Sequence, residues 1–181
     1  MLNLNTQDVV LSIEKSPLVN LNGLLYQEYH TFFGKNFVFP PIKDQNFVKL
    51  ELQETLPRVR LDYNHQLSKM MNITFMNTSI TKALSNKFQQ DLKFDSCDIW
   101  VDNKGYELHP HTDDSRIKLH VQVYLSDNNQ GTSLYDSSGH EIYSFPFKFN
   151  FGYALLNNQA SYHGVNKVVK DGRISLYARY S

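Results

Sequence analysis

The chain has 181 residues, enough to bury one hydrophobic core, and is expected to form a single domain. Its 18 basic and 18 acidic side chains balance, which argues against a nucleic-acid substrate, since nucleic-acid-binding proteins usually carry a basic excess. One cysteine, Cys97, excludes an intrachain disulfide framework and is expected to be a buried apolar residue. With no N-terminal signal pattern and no long apolar run, the sequence predicts a cytoplasmic protein without a membrane span.

The first half of the chain carries a helical pattern and a turn-rich joint. Apolar residues near helical spacing predict a helix from Asn20 to Phe33, and the joint from Gly34 to Asp44 follows it. Val48 to Met76 is ambiguous, and within it Ile73 to Phe75 fits either a short strand or the end of a helix. The apolar positions of the predicted helix are Leu21, Leu24, Leu25, Tyr29 and Phe32 or Phe33.

A second helix is predicted before the midpoint of the chain. Thr78 or Ser79 can cap it, and the pattern continues to about Leu92. The apolar residues that would share its buried face are Ile80, Leu84 and Phe88.

From Phe94 onward, short apolar segments alternate with turns, which predicts a β-sandwich or barrel with the helices on one outer face. Turn sequences such as Asn103-Lys104-Gly105 separate these segments. The predicted strands are 96–102, 118–126, 132–136, 141–145, 149–158 and 173–181.

The strand over 118–126 has two chemically different faces. Leu119, Val121 and Val123 alternate with His120 and Gln122, so one face is apolar and the other polar. The apolar face is expected to meet the helices and the polar face to look into a cavity. His120 and Gln122 are therefore either pocket residues or buried polar groups that neighbouring side chains satisfy.

Two histidines, one carboxylate and one arginine in the C-terminal third form the most informative pattern of the sequence. His111 and Asp113 are two residues apart, so both side chains leave the same face of an extended chain. His163 follows the predicted strand over 149–158 and comes directly before Gly164, where the chain is expected to turn. Arg173 follows ten residues after His163. Two imidazoles and a carboxylate are the ligands of the facial triad that holds non-haem Fe(II).

The stretch from Tyr106 to the C-terminus resembles the catalytic core of the 2-oxoglutarate- and Fe(II)-dependent oxygenases, particularly their prolyl-hydroxylase-like branch. The motifs occur in the order of that family, although G-T-S stands where the branch often has G-G-E. The matching motifs are L-x-P-H-T-D (108–113), Tyr124-Leu125, G-T-S-L-Y-D (131–136), S-Y-H-G-V (161–165) and R-I-S-L (173–176).

The resemblance implies a mostly β, α+β fold whose core is a double-stranded β-helix, or jelly roll. Helices would pack on the outer face of its major sheet. One oxygenase domain would span 1–181. Residues 1–95 would be mainly helical support, and residues 96–181 would form the jelly-roll core with the metal site.

The resemblance also implies the site and its chemistry. Arg173 would pair with the distal carboxylate of 2-oxoglutarate, which the Tyr124 hydroxyl would also contact, while Ser175 and Gln122 belong to the same co-substrate pocket. With Fe(II), 2-oxoglutarate and O2, the enzyme would hydroxylate an aliphatic C–H bond of a prolyl or other peptidyl residue, or of a small metabolite. The implied iron ligands are His111, Asp113 and His163.

Several assignments remain open at the level of sequence. His109-x-His111 together with His163 is also compatible with a cupin-like metal-binding jelly roll that binds a small molecule or uses other chemistry. Arg179 shares a strand face with Arg173, so it either contacts a ligand or forms an ordinary ion pair. Trp100 is assigned to core packing, with the wall of the substrate opening as the alternative.

Overall fold

A computed structural model describes residues 4–43, 46–48 and 57–181. The described residues form three helices and twelve strands, and none of these helices is long and apolar enough to span a membrane. The helices are α1 (Thr6–Lys15), α2 (Gln66–Phe75) and α3 (Thr78–Phe88). The strands are β1 (Leu18–Leu21), β2 (Leu24–Tyr29), β3 (Phe47–Val48), β4 (Arg58–Leu61), β5 (Phe94–Asp102), β6 (Leu108–His111), β7 (Leu119–Tyr124), β8 (Ser133–Tyr135), β9 (Glu141–Ser144), β10 (Gly152–Leu156), β11 (His163–Val165) and β12 (Arg173–Tyr180).

The strands form two antiparallel sheets. The large sheet has the order β1-β2-β10-β7-β12-β5-β4-β3, and the small sheet has the order β6-β11-β8-β9. Neighbouring strands in both sheets are frequently distant in sequence, as when β7 lies between β10 and β12. The fold is therefore mostly antiparallel β with three helices, in agreement with the predicted class.

The helices cover the outer face of the large sheet, where the main core lies. Val121 and Val123 of β7 and Leu176 of β12 are fully buried in one apolar cluster that also contains Ile13 of α1 and Met71 of α2. This arrangement confirms that the apolar face of β7 meets the helices. Cys97 belongs to the same cluster and is buried, as expected.

The inner face of the large sheet carries the polar set of side chains. The second apolar cluster joins Tyr124 of β7 and Tyr153 of β10 to Leu134 of β8, and so packs the large sheet against the small one. His120 and Gln122 lie on this inner face and are buried. The sheets thus enclose polar groups that require partners from both layers.

The helix predicted from Asn20 to Phe33 is wrong. These residues form most of the hairpin β1–β2, in which Leu21 pairs with Leu24. Asn22 and Gly23 take positive φ angles of 53° and 91°, as a two-residue hairpin turn requires, and Asn-Gly is the preferred sequence for it. The sheet pairs β2 with β10, so tertiary hydrogen bonding overrides the helical spacing of the apolar residues.

The second predicted helix is confirmed as α3, although it ends at Phe88 and not near Leu92, because Gln89 takes a left-handed conformation that stops the helix. It begins one residue earlier than expected, because Asn77 is the cap and its side-chain oxygen accepts from the Ser79 backbone N–H at 2.9 Å. Its predicted apolar face is buried, and Ile73 to Phe75 proves to be the end of α2. Part of the ambiguous stretch, 49–56, lies outside the described residues, as does Asp44 of the joint.

Candidate metal centre

The pairing of β6 with β11 brings the two histidines together. His111 at the end of β6 lies opposite His163 at the start of β11 in the antiparallel register, and their ring centroids are 4.6 Å apart. Asp113 follows β6 by two residues. One ligand atom from each of the three residues lies within 4.8 Å of the others, which is close enough for all three to bind one metal ion.

Backbone carbonyls orient both imidazole rings. Nδ1 of His111 lies 2.9 Å from the His109 carbonyl oxygen, and Nδ1 of His163 lies 3.0 Å from that of Ser161. If each Nδ1 carries the proton and donates to its carbonyl, each Nε2 keeps its lone pair. A hydrogen bond from the ring nitrogen that does not face the metal is the usual way in which a protein fixes the tautomer of a metal-binding histidine.

Asp113 is held through one of its two carboxylate oxygens. Its Oδ2 accepts from Nδ1 of His120 at 2.7 Å and from the hydroxyl of Tyr177 at 2.8 Å. Its Oδ1 lies 3.7 Å from Nε2 of His163 and faces the histidine pair. The side chain therefore presents one oxygen to the place where a metal would lie.

Both shifted pKa values favour the protonation states that a metal needs. Burial lowers the pKa of His163 to about 4, and the neighbouring His120 adds to the effect. Burial acts to raise the pKa of Asp113, but the charge and hydrogen bond of His120, with smaller contributions from His163 and Tyr177, hold it well below its usual value. Near neutral pH, His163 is neutral and Asp113 is ionised, which is the form in which both bind metals. The donor set therefore fits a divalent iron.

All three residues line one cavity of about 280 Å³ between the sheets. The wall of this cavity combines aromatic rings, amide and hydroxyl groups and two arginines, which suits a polar organic ligand. Among its other lining residues are Arg58, Trp100, Gln122, Thr132, Tyr153, Tyr177 and Arg179.

Of the four residues predicted to hold the co-substrate, Gln122 alone lines this cavity. Arg173 is fully buried and donates to Asp102 at 2.5 Å, to Thr132 Oγ1 at 3.2 Å and to the Gln130 carbonyl oxygen at 2.9 Å. Thr132 stands in the cavity wall and contacts both Arg173 and Tyr124, so these two residues lie directly behind it.

The other two predicted residues, Gln122 and Ser175, bond to each other. Ser175 accepts a hydrogen bond from Nε2 of Gln122 at 3.1 Å. The amide oxygen of Gln122 accepts from Thr132 at 2.9 Å and from Tyr153 at 2.6 Å. Gln122 therefore fits both interpretations from the sequence, because its side chain lines the cavity and its polar atoms also form hydrogen bonds with neighbouring side chains.

Sequence reasoning missed Arg58, which lines the cavity from β4. Its Nε donates to Asp102 at 2.5 Å, and Asp102 also accepts from Arg173, so one carboxylate lies between two guanidinium groups. We refer to Arg58, Asp102 and Arg173 as the Asp102 cluster, which carries a net charge of about +1. The alternation in Arg58-Val59-Arg60 could have indicated a strand with one basic face.

The structure also shows where His109, Trp100 and Arg179 lie, whose roles the sequence left open. His109 is exposed, and its side chain is outside the group of ligand atoms formed by His111, Asp113 and His163. Trp100 lines the cavity, which agrees with the alternative prediction that it forms a wall of the substrate opening. Arg179 lines the same cavity and also forms an ion pair with Asp98.

No protein-family model and no curated protein matches the chain. Solved structures do match it. Prolyl 4-hydroxylase from Phytophthora capsici is 14% identical with a TM-score of 0.62, over 100% of this chain and 66% of that one. An oxidoreductase of the 2OG-Fe(II) oxygenase family from Burkholderia pseudomallei is 13% identical with a TM-score of 0.55, over 95% of this chain and 75% of that one. The chain has the fold of these oxygenases.

A third structure with this oxygenase fold is a prolyl 4-hydroxylase from Pseudomonas putida. It is 12% identical with a TM-score of 0.55, over 76% of this chain and 77% of that one. The resemblance that the ordered motifs indicate is therefore confirmed at the level of the fold.

Proposed function

We propose that this protein is a non-haem Fe(II)- and 2-oxoglutarate-dependent dioxygenase that hydroxylates an aliphatic C–H bond. The proposal includes one domain over 1–181 with a jelly-roll core. The observation that carries it is the set formed by His111, Asp113 and His163, whose ligand atoms converge in the wall of a cavity. The shared fold with 2OG-Fe(II) oxygenases supports the same reading.

In this proposal, His111, Asp113 and His163 hold the iron, which with 2-oxoglutarate and O2 supplies the oxidising chemistry when bound. The protein keeps Asp113 ionised and aimed through its bonds to His120 and Tyr177. It keeps the His163 ring neutral by burial. Three ligands on one face leave the opposite coordination positions for exogenous molecules.

The charge of the Asp102 cluster supports binding of the distal carboxylate of 2-oxoglutarate at this end of the cavity. Two arginines share one aspartate there, so one positive charge remains for an incoming anion. Thr132 and Gln122 would meet that carboxylate first, with Arg173 and Tyr124 behind them. Direct pairing with Arg173 requires the carboxylate to replace the bond from Arg173 to Thr132.

One observation favours a second function. Arg173 and Tyr124 do not line the cavity, and Arg173 already has an aspartate partner. A metal-binding β fold that does not use 2-oxoglutarate, of the cupin-like kind, would have the same three metal ligands without a free clamp for a dicarboxylate.

An anaerobic titration separates the two functions. Fe(II) and then 2-oxoglutarate are added to the apo protein while the visible absorption spectrum is recorded. The oxygenase assignment predicts a weak charge-transfer band that requires both additions and is lost in Asp113→Ala. His109→Ala is the matched control and should keep the band. Iron binding without a band on adding 2-oxoglutarate would favour the cupin-like function.

A further inference from the structure

The inner face of the large sheet carries more arginine than its own acidic partners neutralise. In addition to the Asp102 cluster, this face has a second carboxylate, Asp98, that lies between two more arginines. Arg179 donates to Asp98 at 2.5 Å, and Arg60 approaches it at 3.8 Å. We refer to Arg60, Asp98 and Arg179 as the Asp98 cluster. Two arginines and one aspartate give it a net charge of about +1, counted over the described residues.

Two members of the Asp98 cluster are largely removed from water, while the side chain of Arg179 is 31% exposed at the cavity. The side chain of Asp98 is 2% exposed and that of Arg60 is 13% exposed. Asp98 Oδ1 and Arg60 Nε are buried without a hydrogen-bond partner among the described residues. Arg60 Nε is a donor, so its burial without a partner is costly unless an acceptor reaches it.

The two clusters lie too far apart to serve one short dicarboxylate. Asp98 and Asp102 are four residues apart on β5, which corresponds to about 13 Å along a strand. Arg173 and Arg179 are six residues apart on β12, or about 20 Å. Once the distal carboxylate of 2-oxoglutarate occupies the Asp102 cluster, the Asp98 cluster still has its charge.

Arg179 places that charge beside the metal centre. It lines the same cavity as the three ligands and donates to Ser96 and Asp98, which leaves N–H groups for another acceptor. Its guanidinium carbon lies 5.8 Å from the centroid of the Tyr177 ring, and the hydroxyl of Tyr177 bonds to Asp113. A molecule held by Arg179 would therefore lie next to the reactive part of the cavity.

We propose that the substrate is a small molecule with a free carboxylate, which Arg179 binds from the cavity wall while Arg60 shares the negative charge of Asp98. This inference rests on the proposed function and narrows its substrate. A singly charged carboxylate matches the charge of the cluster, whereas a phosphate carries −1.5 to −2 near neutral pH. An internal peptidyl proline would bring no charge to Arg179, so a free acid is favoured over a peptidyl proline.

Trp100 provides a local reporter, because it is the sole tryptophan of the chain and lines the cavity. The anaerobic Fe(II) protein saturated with 2-oxoglutarate is titrated with acetate, butanoate and N-acetylproline, and with the matching amides. At least one acid should change Trp100 emission with an affinity at least about tenfold above that of its amide, since charge-assisted hydrogen bonds are worth this much. Inorganic phosphate should compete more weakly than that acid.

Arg179→Gln should abolish the preference for the acid, and Arg179→Lys should retain part of it. Arg116→Gln is the control, because Arg116 is an exposed arginine whose partner is Asp114. The proposal is overturned if no acid changes the emission, if acid and amide bind equally, if phosphate binds more tightly, or if the preference survives in Arg179→Gln.

The spectrum of the iron and 2-oxoglutarate complex distinguishes a failure of this proposal from a failure of the proposed function. Arg179→Gln should keep the charge-transfer band with unchanged 2-oxoglutarate affinity. A loss of that affinity in Arg179→Gln would assign Arg179 to the co-substrate and overturn the inference. An intact acid preference in iron-loaded protein that never forms the band would instead overturn the proposed function and leave the carboxylate site standing.

Discussion

At the scale of single residues, Asp113 has its two oxygens in different environments. His120 and Tyr177 both donate to Oδ2, while Oδ1 faces His163. An ionised carboxylate can only accept, so the proton in the bond to His120 lies on the imidazole. These two donors fix which oxygen would remain for a metal, so we expect His120 to act as a positioning residue.

Removal of the His120 donor should weaken metal binding without removing a ligand. His120→Phe and Tyr177→Phe are each expected to lower Fe(II) affinity about 10- to 100-fold, the range typical for partners of metal ligands. His120→Asn, whose amide can replace Nδ1 as donor, should retain more affinity than His120→Phe. Competition with a chromogenic chelator under anaerobic conditions measures the affinities, and equal values for wild type and His120→Phe would contradict the role.

The three proposed ligands could be predicted from sequence because their spacing and residue types are visible in the chain. The ion pairs that Asp102 forms with Arg173 and Arg58 could not be predicted, because Asp102 lies 71 residues from Arg173 and 44 residues from Arg58 in the sequence. Such pairs depend on which strands become neighbours. A predicted clamp residue can therefore acquire a competing carboxylate that no local pattern indicates.

At the scale of elements, the candidate metal centre depends on the close approach of β11 to β6. A Cβ atom on Gly164 would lie 2.5 Å from the Leu108 carbonyl oxygen and 3.2 Å from backbone atoms of His109 and Pro110. Backbone atoms of a paired strand cannot move aside as a flexible side chain can. The glycine is thus required for His163 to reach His111.

Gly164→Ala should separate the two strands and reduce metal affinity more than stability explains. Gly139→Ala is the control, because Gly139 has a φ of 80° with nothing near its missing Cβ, so its substitution costs about 1 kcal/mol of strain away from the site. Thermal unfolding and iron affinity are measured for both variants. Equal iron affinity in Gly164→Ala and Gly139→Ala would show that this close approach is not needed.

Six strands of the C-terminal half, β5, β7, β8, β9, β10 and β12, could be predicted because their alternation is strong, as in β7, and turn residues separate them. The short strands β6 and β11, which carry His111 and His163, were not among the predicted strands, because their pairing depends on residues distant in sequence. The hairpin β1–β2 was missed, although Asn22-Gly23 is a hairpin signal, because the spacing of Leu21, Leu24 and Leu25 also fits a helix. The predicted elements also lacked α1, which Asn5 caps through a hydrogen bond to the Gln7 N–H. Local propensity cannot decide such cases when a sheet edge supplies the deciding hydrogen bonds.

At the scale of the whole molecule, the two faces of the large sheet differ: the outer face forms the hydrophobic core and the inner face carries the polar groups. The outer face and the helices bury apolar side chains such as Val121 and Leu176, which stabilise the fold. The inner face carries His120, Gln122 and the arginine clusters. The polar groups that would bind ligands are therefore held by a sheet whose stability comes from its other side.

The metal-free protein should lose stability as the pH falls from 6.5 to about 4, because its buried His163 is harder to protonate in the folded state. The pKa of His163 lies near 4 when folded, against 6.5 for an ordinary histidine. Between these values the unfolded chain binds more protons, so the free energy of unfolding rises with pH across this window. The difference corresponds to about 3 kcal/mol. Asp113, whose pKa is also lowered, adds a further loss below its usual value of 3.8.

Urea unfolding in the presence of a chelator, at several pH values from 4.5 to 7.5, measures this dependence. His163→Gln should flatten the curve across the window, because the group that resists protonation has been removed. His140→Gln should follow wild type, because the His140 side chain is 80% exposed. A wild-type slope that persists in His163→Gln would assign the pH dependence to other groups. Added Fe(II) should then steepen the wild-type dependence, because the metal competes with protons for the same imidazole.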